Sequence, residues 1–449
     1  MTPRTPADVR AALSSVLPSV RTDLEHLVRI PSVSAAPEHV ADVERSAEAT
    51  RDLFAAEGFE TQILRSGDGA PALLATKPGP PGSPTVLLYA HHDVQPEGDH
   101  AAWDSAPFEP TERDGRLYGR GAADDKAGIA VHLAAVRALG DPLPVGVKVF
   151  VEGEEEIGSP TLEAFIGEHG ALLEADVIVI ADSGNWDIGE PALTTSLRGL
   201  VRATVEVRTL RHGVHSGMFG GVVPDALMAL TRILASLHDD DGTVAVPGLV
   251  TGDAADVDYP HDRLVAESGL ADGVQLIGTG SSVERMWTKP SLTVTGIDAP
   301  TVEAASNTLV PAARAMISMR IAPGDSCAAA YERLREHVLA NVPWGAEVTL
   351  TYADGGEPTA LDATGPAYDA AREAMREAWD GVAPIDMGVG GSIPFIATFA
   401  EAFPQASVLV VGVEDPDTRA HGTNEGLHLA EWERACLAEA LLLARLGEG

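Results

Sequence analysis

Val86-Leu87-Leu88-Tyr89-Ala90-His91-His92-Asp93 carries an apolar β-type run straight into two imidazoles and a carboxylate. Three further runs end in the same way. Val147-Lys148-Val149-Phe150-Val151 leads into Glu152, Glu154, Glu155 and Glu156; Val177-Ile178-Val179-Ile180 leads into Asp182; Val408-Leu409-Val410-Val411 leads, after a turn, to His421. In open α/β sheets ligands collect outside the carboxyl ends of the strands. Four such exits therefore predict an α/β sheet with one shared site along its edge. Imidazole mixed with carboxylate suits zinc, cobalt or manganese better than calcium or a soft, thiolate-bound metal.

Outward from these runs, apolar residues at helical spacing (Leu13, Val16, Val20, Leu24, Leu27) predict a helix from Ala7 to about Arg29. A second is predicted from about His39 to Gly58, where the glycine ends it. Strand and helix signals alternate to about Leu197, the α/β pattern. The pattern then changes. Val201 to Val207 alternates apolar and polar like a half-exposed strand. Helix 226–237, strands 291–296 and 315–321, helix 328–342 and strand 347–352 follow, which is the split βαβ order. Residues 239–289, rich in Gly, Asp and Pro, read as a long insertion. After Gly356 the α/β pattern resumes, with a helix near 366–379, a strand at 407–413 and a closing helix at 431–446. One α/β domain (1–198 and 357–449) is thus expected to be interrupted by a smaller four-stranded domain (199–356).

A length of 449 residues suits two or three domains, and 45% apolar residues can fill their cores. The balance of 31 basic against 67 acidic residues gives a net charge of −36. That charge disfavours nucleic acid or an anionic membrane as a partner. Cys327 and Cys436 are too far apart to form a metal or redox motif and are expected to be small buried hydrophobes. The N-terminus has no apolar core of a signal peptide, and no run is long enough to cross a membrane, so a cytoplasmic protein is expected.

His91 and Asp93 stand at i and i+2, which on an extended backbone share a side. A carboxylate there can orient the imidazole, although a lone His-x-Asp occurs as often on plain surface. Gly119-Arg120-Gly121-Ala122-Ala123-Asp124-Asp125-Lys126 places two carboxylates before a helix. It lacks the third glycine of a dinucleotide loop. The plain alternative for Asp125 is a helix N-cap. Glu152-Gly153-Glu154-Glu155-Glu156 crowds four carboxylates into five residues. Such crowding raises each pKa unless cations are present; the plain alternative is an acidic surface turn.

These segments resemble the dinuclear-zinc exopeptidase family of carnosinases, other dipeptidases, aminoacylases, desuccinylases and deacetylases. The motifs are Tyr89 to Pro96, Leu117 to Gly121 with Asp124-Asp125-Lys126, Glu152 to Ser159, Leu197-Arg198-Gly199, His215 to Gly221, Gly390 to Pro394, and Ala420 to Glu425. Seven ordered motifs span nearly the whole chain. Gln95-Pro96, with the His215-Ser216-Gly217 and Gly391-Ser392-Ile393-Pro394 segments, is most similar to the carnosinase-like dipeptidase branch.

The resemblance implies a catalytic domain with a mixed sheet flanked by helices, and a smaller α+β lid and dimerisation domain with four strands and two helices. It implies two divalent ions per chain, zinc foremost, with manganese or cobalt as alternatives. His91, Asp124 and Asp182 would hold one ion and Asp124, Glu156 and His421 the other, Asp124 bridging. Three ligand carboxylates and a bridging hydroxide would neutralise two divalent cations. Glu155 would be the general base and Asp93 the partner of His91, and the peptide after Asp124 would be cis. His215 would act on the oxyanion from the neighbouring subunit of a homodimer. Asn307, Thr308, Arg320 and Ser392 would bind substrate, Arg320 offering a planar fork of donors to a free carboxylate. The implied reaction is hydrolysis of dipeptides by the metal-bridging hydroxide; the alternatives are an N-acyl-amino-acid amidohydrolase and a non-catalytic metal- or peptide-binding protein. Ala90 and His92 depart from a common glycine and tyrosine, and Gly388-Val389 stands where many relatives have Arg-Glu.

Overall fold

Four strands lie parallel and adjacent, in the order Gly146–Glu152, Thr85–His91, Val177–Ile180 and Ser407–Val410. They are the four apolar runs that exit into chemistry. The register is flush: His91 faces Glu152, Tyr89 faces Ile180, and Val410 faces Ile180. Their carboxyl ends therefore form one edge, and the residues that follow are delivered side by side. The computed structural model that shows this describes residues 5–253, 257–391 and 394–448.

This sheet belongs to a unit made of Met1–Thr195, Leu361–Met387 and Thr398–Gly449. Antiparallel strands Ala72–Lys77 and Glu60–Leu64 extend it on one side, and Ala192–Leu197 pairs antiparallel with Ser407–Val410 on the other. The sheet is mixed. Both faces are covered, which explains the near-continuous apolar runs. Val86, Leu88 and Ala90 join the core with helices Pro6–Val28, Lys126–Leu139, Pro366–Ala378 and Leu429–Leu446. On the opposite face Tyr89, Phe150, Phe165 and Phe399 stack ring to ring at centroid distances of 5.1 to 6.1 Å.

Helix Lys126–Leu139 is buried on every side except at Arg137, which accounts for its run of Ala, Gly, Val and Leu without a polar face. Within it, buried His132 meets the Glu439 carboxylate through Nδ1 at 2.9 Å and the Tyr89 carbonyl through Nε2 at 2.9 Å. Burial opposes a charge on His132, but Glu439 outweighs it and holds the ring above the usual imidazole range. Removing one partner of such a pair costs about 3–5 kcal/mol.

The second unit comprises Ser196–Ala360 and Gly388–Ala397. Its four antiparallel strands run in the order Ser291–Asp298, Ala312–Ile321, Gly199–Arg208 and Glu347–Gly356. Helices Ala226–Ala235 and Cys327–Ala340 pack on the face that carries Val201, Ala203, Val205 and Val207. The alternating burial of Gly199–Arg208 is that of a sheet covered on one side. The expected insertion contains helix His261–Ser268 and a π-turn at Glu284–Thr288. Both cysteines are buried and free. Among the described residues no helix is long and apolar enough to cross a membrane.

Candidate metal centre

At the flush sheet edge of the first unit, His91 Nε2 stands 3.1 Å from Asp124 Oδ1 and 3.8 Å from Asp182 Oδ1. His421 Nε2 stands 3.0 Å from the other Asp124 oxygen and 3.3 Å from Glu156 Oε2. In each trio the potential ligand atoms lie within 4.8 Å of one another, and Asp124 belongs to both. His91 and Asp124 are buried, whereas the His421 side chain is 61% exposed, so the pair of sites opens to solvent on the His421 side. Borderline nitrogen donors mixed with carboxylates suit a transition metal. Three protein ligands leave a position open for water or substrate, as a catalytic site requires.

The Asp124–Asp125 peptide is cis. Asp125 occupies the N-cap position of its helix, yet its side chain makes no cap hydrogen bond; it accepts the His91 N–H at 3.2 Å instead. Asp125 therefore braces the strand end that carries His91, where the plain alternative was a helix cap. Gly412 lies against the Asp182 segment so closely that a Cβ there would stand 1.5 Å from the Ser183 carbonyl oxygen. No side chain fits at that position.

Asp93 is fully buried and accepts the backbone N–H groups of Glu155 at 3.2 Å and Glu156 at 3.1 Å. His91 Nδ1 lies 3.1 Å from the Asp93 carbonyl and 3.4 Å from its carboxylate. Asp93 thus holds both the imidazole and the turn that bears the adjacent glutamates. Glu156 in turn accepts the Gln95 amide N–H at 3.0 Å. His92 points away, with Nε2 2.8 Å from the Pro71 carbonyl. Burial lowers its pKa to about 4, so it stays neutral and structural. A Cβ at Gly153 would stand 2.6 Å from the His92 ring, which explains the glycine inside the glutamate run.

Electrostatics fit a cation site. Burial pushes Glu155 and Glu156 well above the usual carboxylate range, with Asp182 adding most to the first and Asp124 to the second. Burial opposes charge on His91 and Asp124 too, but their hydrogen bonds reverse it: Asp124, Asp182 and Asp93 hold His91 high, and His421 and His91 hold Asp124 low. Protons thus bridge the groups that divalent cations would bridge, and the two compete for the same lone pairs.

Three carboxylates at this edge drew no separate role from sequence reading. Glu152 accepts hydrogen bonds from the Tyr89 hydroxyl and, at 3.1 Å, from Ser159. Glu414 sits beside Gly184, and burial together with Asp124 and Asp182 raises its pKa. Glu425 is fully buried against the Asp124 loop. An unmatched arginine inside the glycine loop, Arg120, was the signal that could have found it, since a buried guanidinium needs an anion.

In the second unit, His215 pairs with Thr308 in a short antiparallel ladder, and Ser216 N–H donates to the Asn307 carbonyl at 2.8 Å. His215, Asn307 and Thr308, all exposed, are thereby brought together. Arg320 lies on Ala312–Ile321, half-buried, and burial lowers its pKa. Ser392 lies outside the described residues. Gly388 is explained by Trp287: a Cβ at Gly388 would stand 2.6 Å from the Trp287 Cβ, so the indole fills the space a side chain would need.

Comparison with known proteins gives the same direction. A model of peptidase family M20/M25/M40 matches residues 87–445. The chain is 36% identical over 432 residues to a cysteinylglycine-S-conjugate dipeptidase of Corynebacterium striatum, covering 95% of each chain. It is 31% identical over 379 residues to the beta-Ala-His dipeptidase of Rattus norvegicus, covering 80% of this chain and 76% of that one. The crystal structure of human carnosine dipeptidase 1 matches 100% of both chains with a TM-score of 0.80 at 25% identity.

Proposed function

The chain belongs to peptidase family M20/M25/M40, and on that premise we propose that it is a metal-dependent dipeptidase, a homodimer working in the cytoplasm with zinc as its metal. The observation that carries this reading is the pair of ligand trios sharing Asp124. His91, Asp124 and Asp182 would hold one divalent ion, and Asp124, Glu156 and His421 the second. Paired ions of this kind polarise a carbonyl and lower the pKa of water between them.

The chain's own residues supply the proton traffic. Glu155 belongs to neither trio and stands on the turn that Asp93 holds through two backbone N–H groups. It takes a proton from the attacking water and returns it to the leaving amine. Asp93 keeps His91 and that turn in register. Arg320 would take the free carboxylate of the substrate, His215 would act on the developing oxyanion, and Asn307, Thr308 and Ser392 would be further substrate-binding residues.

A dipeptidase recognises both ends of its substrate. Unblocked dipeptides, cysteinylglycine and β-alanylhistidine among them, should be cleaved with kcat/KM at least about 100-fold above that of N-acetyl amino acids, because an unpaired buried group costs a few kcal/mol. Comparable rates on N-acetyl amino acids would favour an amidohydrolase.

His215 lies in the second unit and the metal ligands in the first, which motivates a mixed-dimer test. Glu155→Ala and His215→Ala homodimers should each be nearly inactive. In a mixed dimer the His215→Ala chain keeps its own Glu155 and takes His215 from its partner, while the other site carries both defects. Random reassociation makes half the dimers mixed, so activity should recover to about a quarter of wild type. Mixing verified by mass spectrometry with no recovery would return His215 to its own chain's site or remove it from catalysis.

A further inference from the structure

Glu425 is fully buried and takes no part in the proton transfers described above. Its Oε2 accepts from Arg120 Nη1 at 2.7 Å and from Gly121 N–H at 3.0 Å. Its Oε1 accepts from Ala123 N–H at 2.9 Å and Asp124 N–H at 3.1 Å. With four N–H donors already on its two oxygens, this carboxylate is an anchor and no metal ligand. Arg120, 1% exposed, answers in the opposite direction. Its Nη2 donates to the Gly422 carbonyl at 2.9 Å and to the Pro96 carbonyl at 3.3 Å. The main chain adds a tie between the same segments, Gly119 N–H to the Glu425 carbonyl at 3.0 Å.

The two segments so joined are the loops that deliver the shared ligand and the exposed ligand. Asp124 hangs by its own amide from Glu425, and Gly422, held by Arg120, follows His421 directly. The His421 loop has reason to need holding. Arg419, His421 and Asn424 all take positive φ values, 58°, 62° and 59°, a region that side-chain-bearing residues seldom occupy. Such conformations persist where surrounding contacts over-determine them. The opposed charges of Arg120 and Glu425 cancel, so the link adds no net charge beside the cluster.

We infer that Arg120 and Glu425 form a reciprocal clasp that sets the position of His421 relative to Asp124, and with it the second metal position. Both are positioning residues, and the inference rests on the two-metal reading. Glu425→Gln keeps the shape of the side chain, but its amide group must point a donor at either the Arg120–Gly121 pair or the Ala123–Asp124 pair. The clasp then loses one of its halves.

Metal-free protein titrated with Co²⁺, followed by calorimetry and absorbance, separates this role from plain structural support. Wild type should bind two ions. Glu425→Gln should weaken one of the two by about 10- to 100-fold, the usual effect of groups that orient ligands, and leave the other within about threefold. With saturating metal, kcat should fall while KM for a dipeptide stays near wild type. Arg120→Lys keeps the charge but cannot span Glu425 and Gly422 together, and should weaken the same ion selectively and less. It serves if the glutamine variant does not fold. Glu439→Gln, which disturbs the buried His132 pair in the same unit, should lower Tm and leave both affinities unchanged. Clasp variants that bind both ions as wild type does, or weaken both equally, would overturn the clasp. Wild type binding fewer than two ions would overturn the two-metal reading instead.

Discussion

Glu155→Gln should bind both metal ions and dipeptide as wild type does, yet turn over at least about 10³-fold more slowly. The substitution is nearly isosteric and leaves both trios intact, since Glu155 is in neither. Its backbone N–H still reaches Asp93, so the turn that also carries Glu156 keeps its shape. What is lost is a proton acceptor and a negative charge beside the reacting water. Burial first, and then Asp182, raise the pKa of Glu155 in the metal-free chain, and cations held by the two trios would offset the second cause. KM should hardly move, because the carboxylate contributes to the transition state and little to ground-state binding. Glu156→Gln should behave differently, losing metal affinity along with turnover. A Glu155 variant with near-normal kcat would show that Glu155 is not the base, and one that has shed a metal ion would show that the base and ligand roles of the adjacent pair have been exchanged.

Much of this site was legible because parallel strands place their carboxyl ends together, and an apolar run followed by histidine or carboxylate marks such an end. Thr85–His91, Gly146–Glu152, Val177–Ile180 and Ser407–Val410 are adjacent in space as their shared pattern suggests. The order of elements in the second unit could be read from alternation and turn residues alone, because a sheet covered on one face has a period of two. Harder to read were groups whose partners are distant in sequence. Glu425 looks like a polar residue in a loop until Arg120 and three amides of the Asp124 loop are seen around it. Asp125 has the residue type and position of a helix cap, and spends its oxygen on His91. The departure at Gly388 has no local cause and follows from the bulk of Trp287. Local pattern reports which face a residue takes; it does not report which remote backbone group will need that residue's charge.

A pair of divalent ions held by His91, Asp124, Asp182, Glu156 and His421 would carry the reaction. Burial first, and then neighbouring carboxylates, raise the pKa of Glu156 and of the adjacent Glu155, and the open side of the pair faces solvent at His421. Depleting the ions should remove the polarisation of the carbonyl and the acidification of water together, and so abolish hydrolysis altogether. The direct measurement is elemental analysis of the active protein, repeated after chelation and after titration of metal back into the depleted chain with dipeptide hydrolysis followed at each step. Two transition-metal ions per chain are expected, with no activity after chelation and recovery that is complete only as the second equivalent binds. Full activity with one ion per chain, or with none, would contradict the two-metal reading.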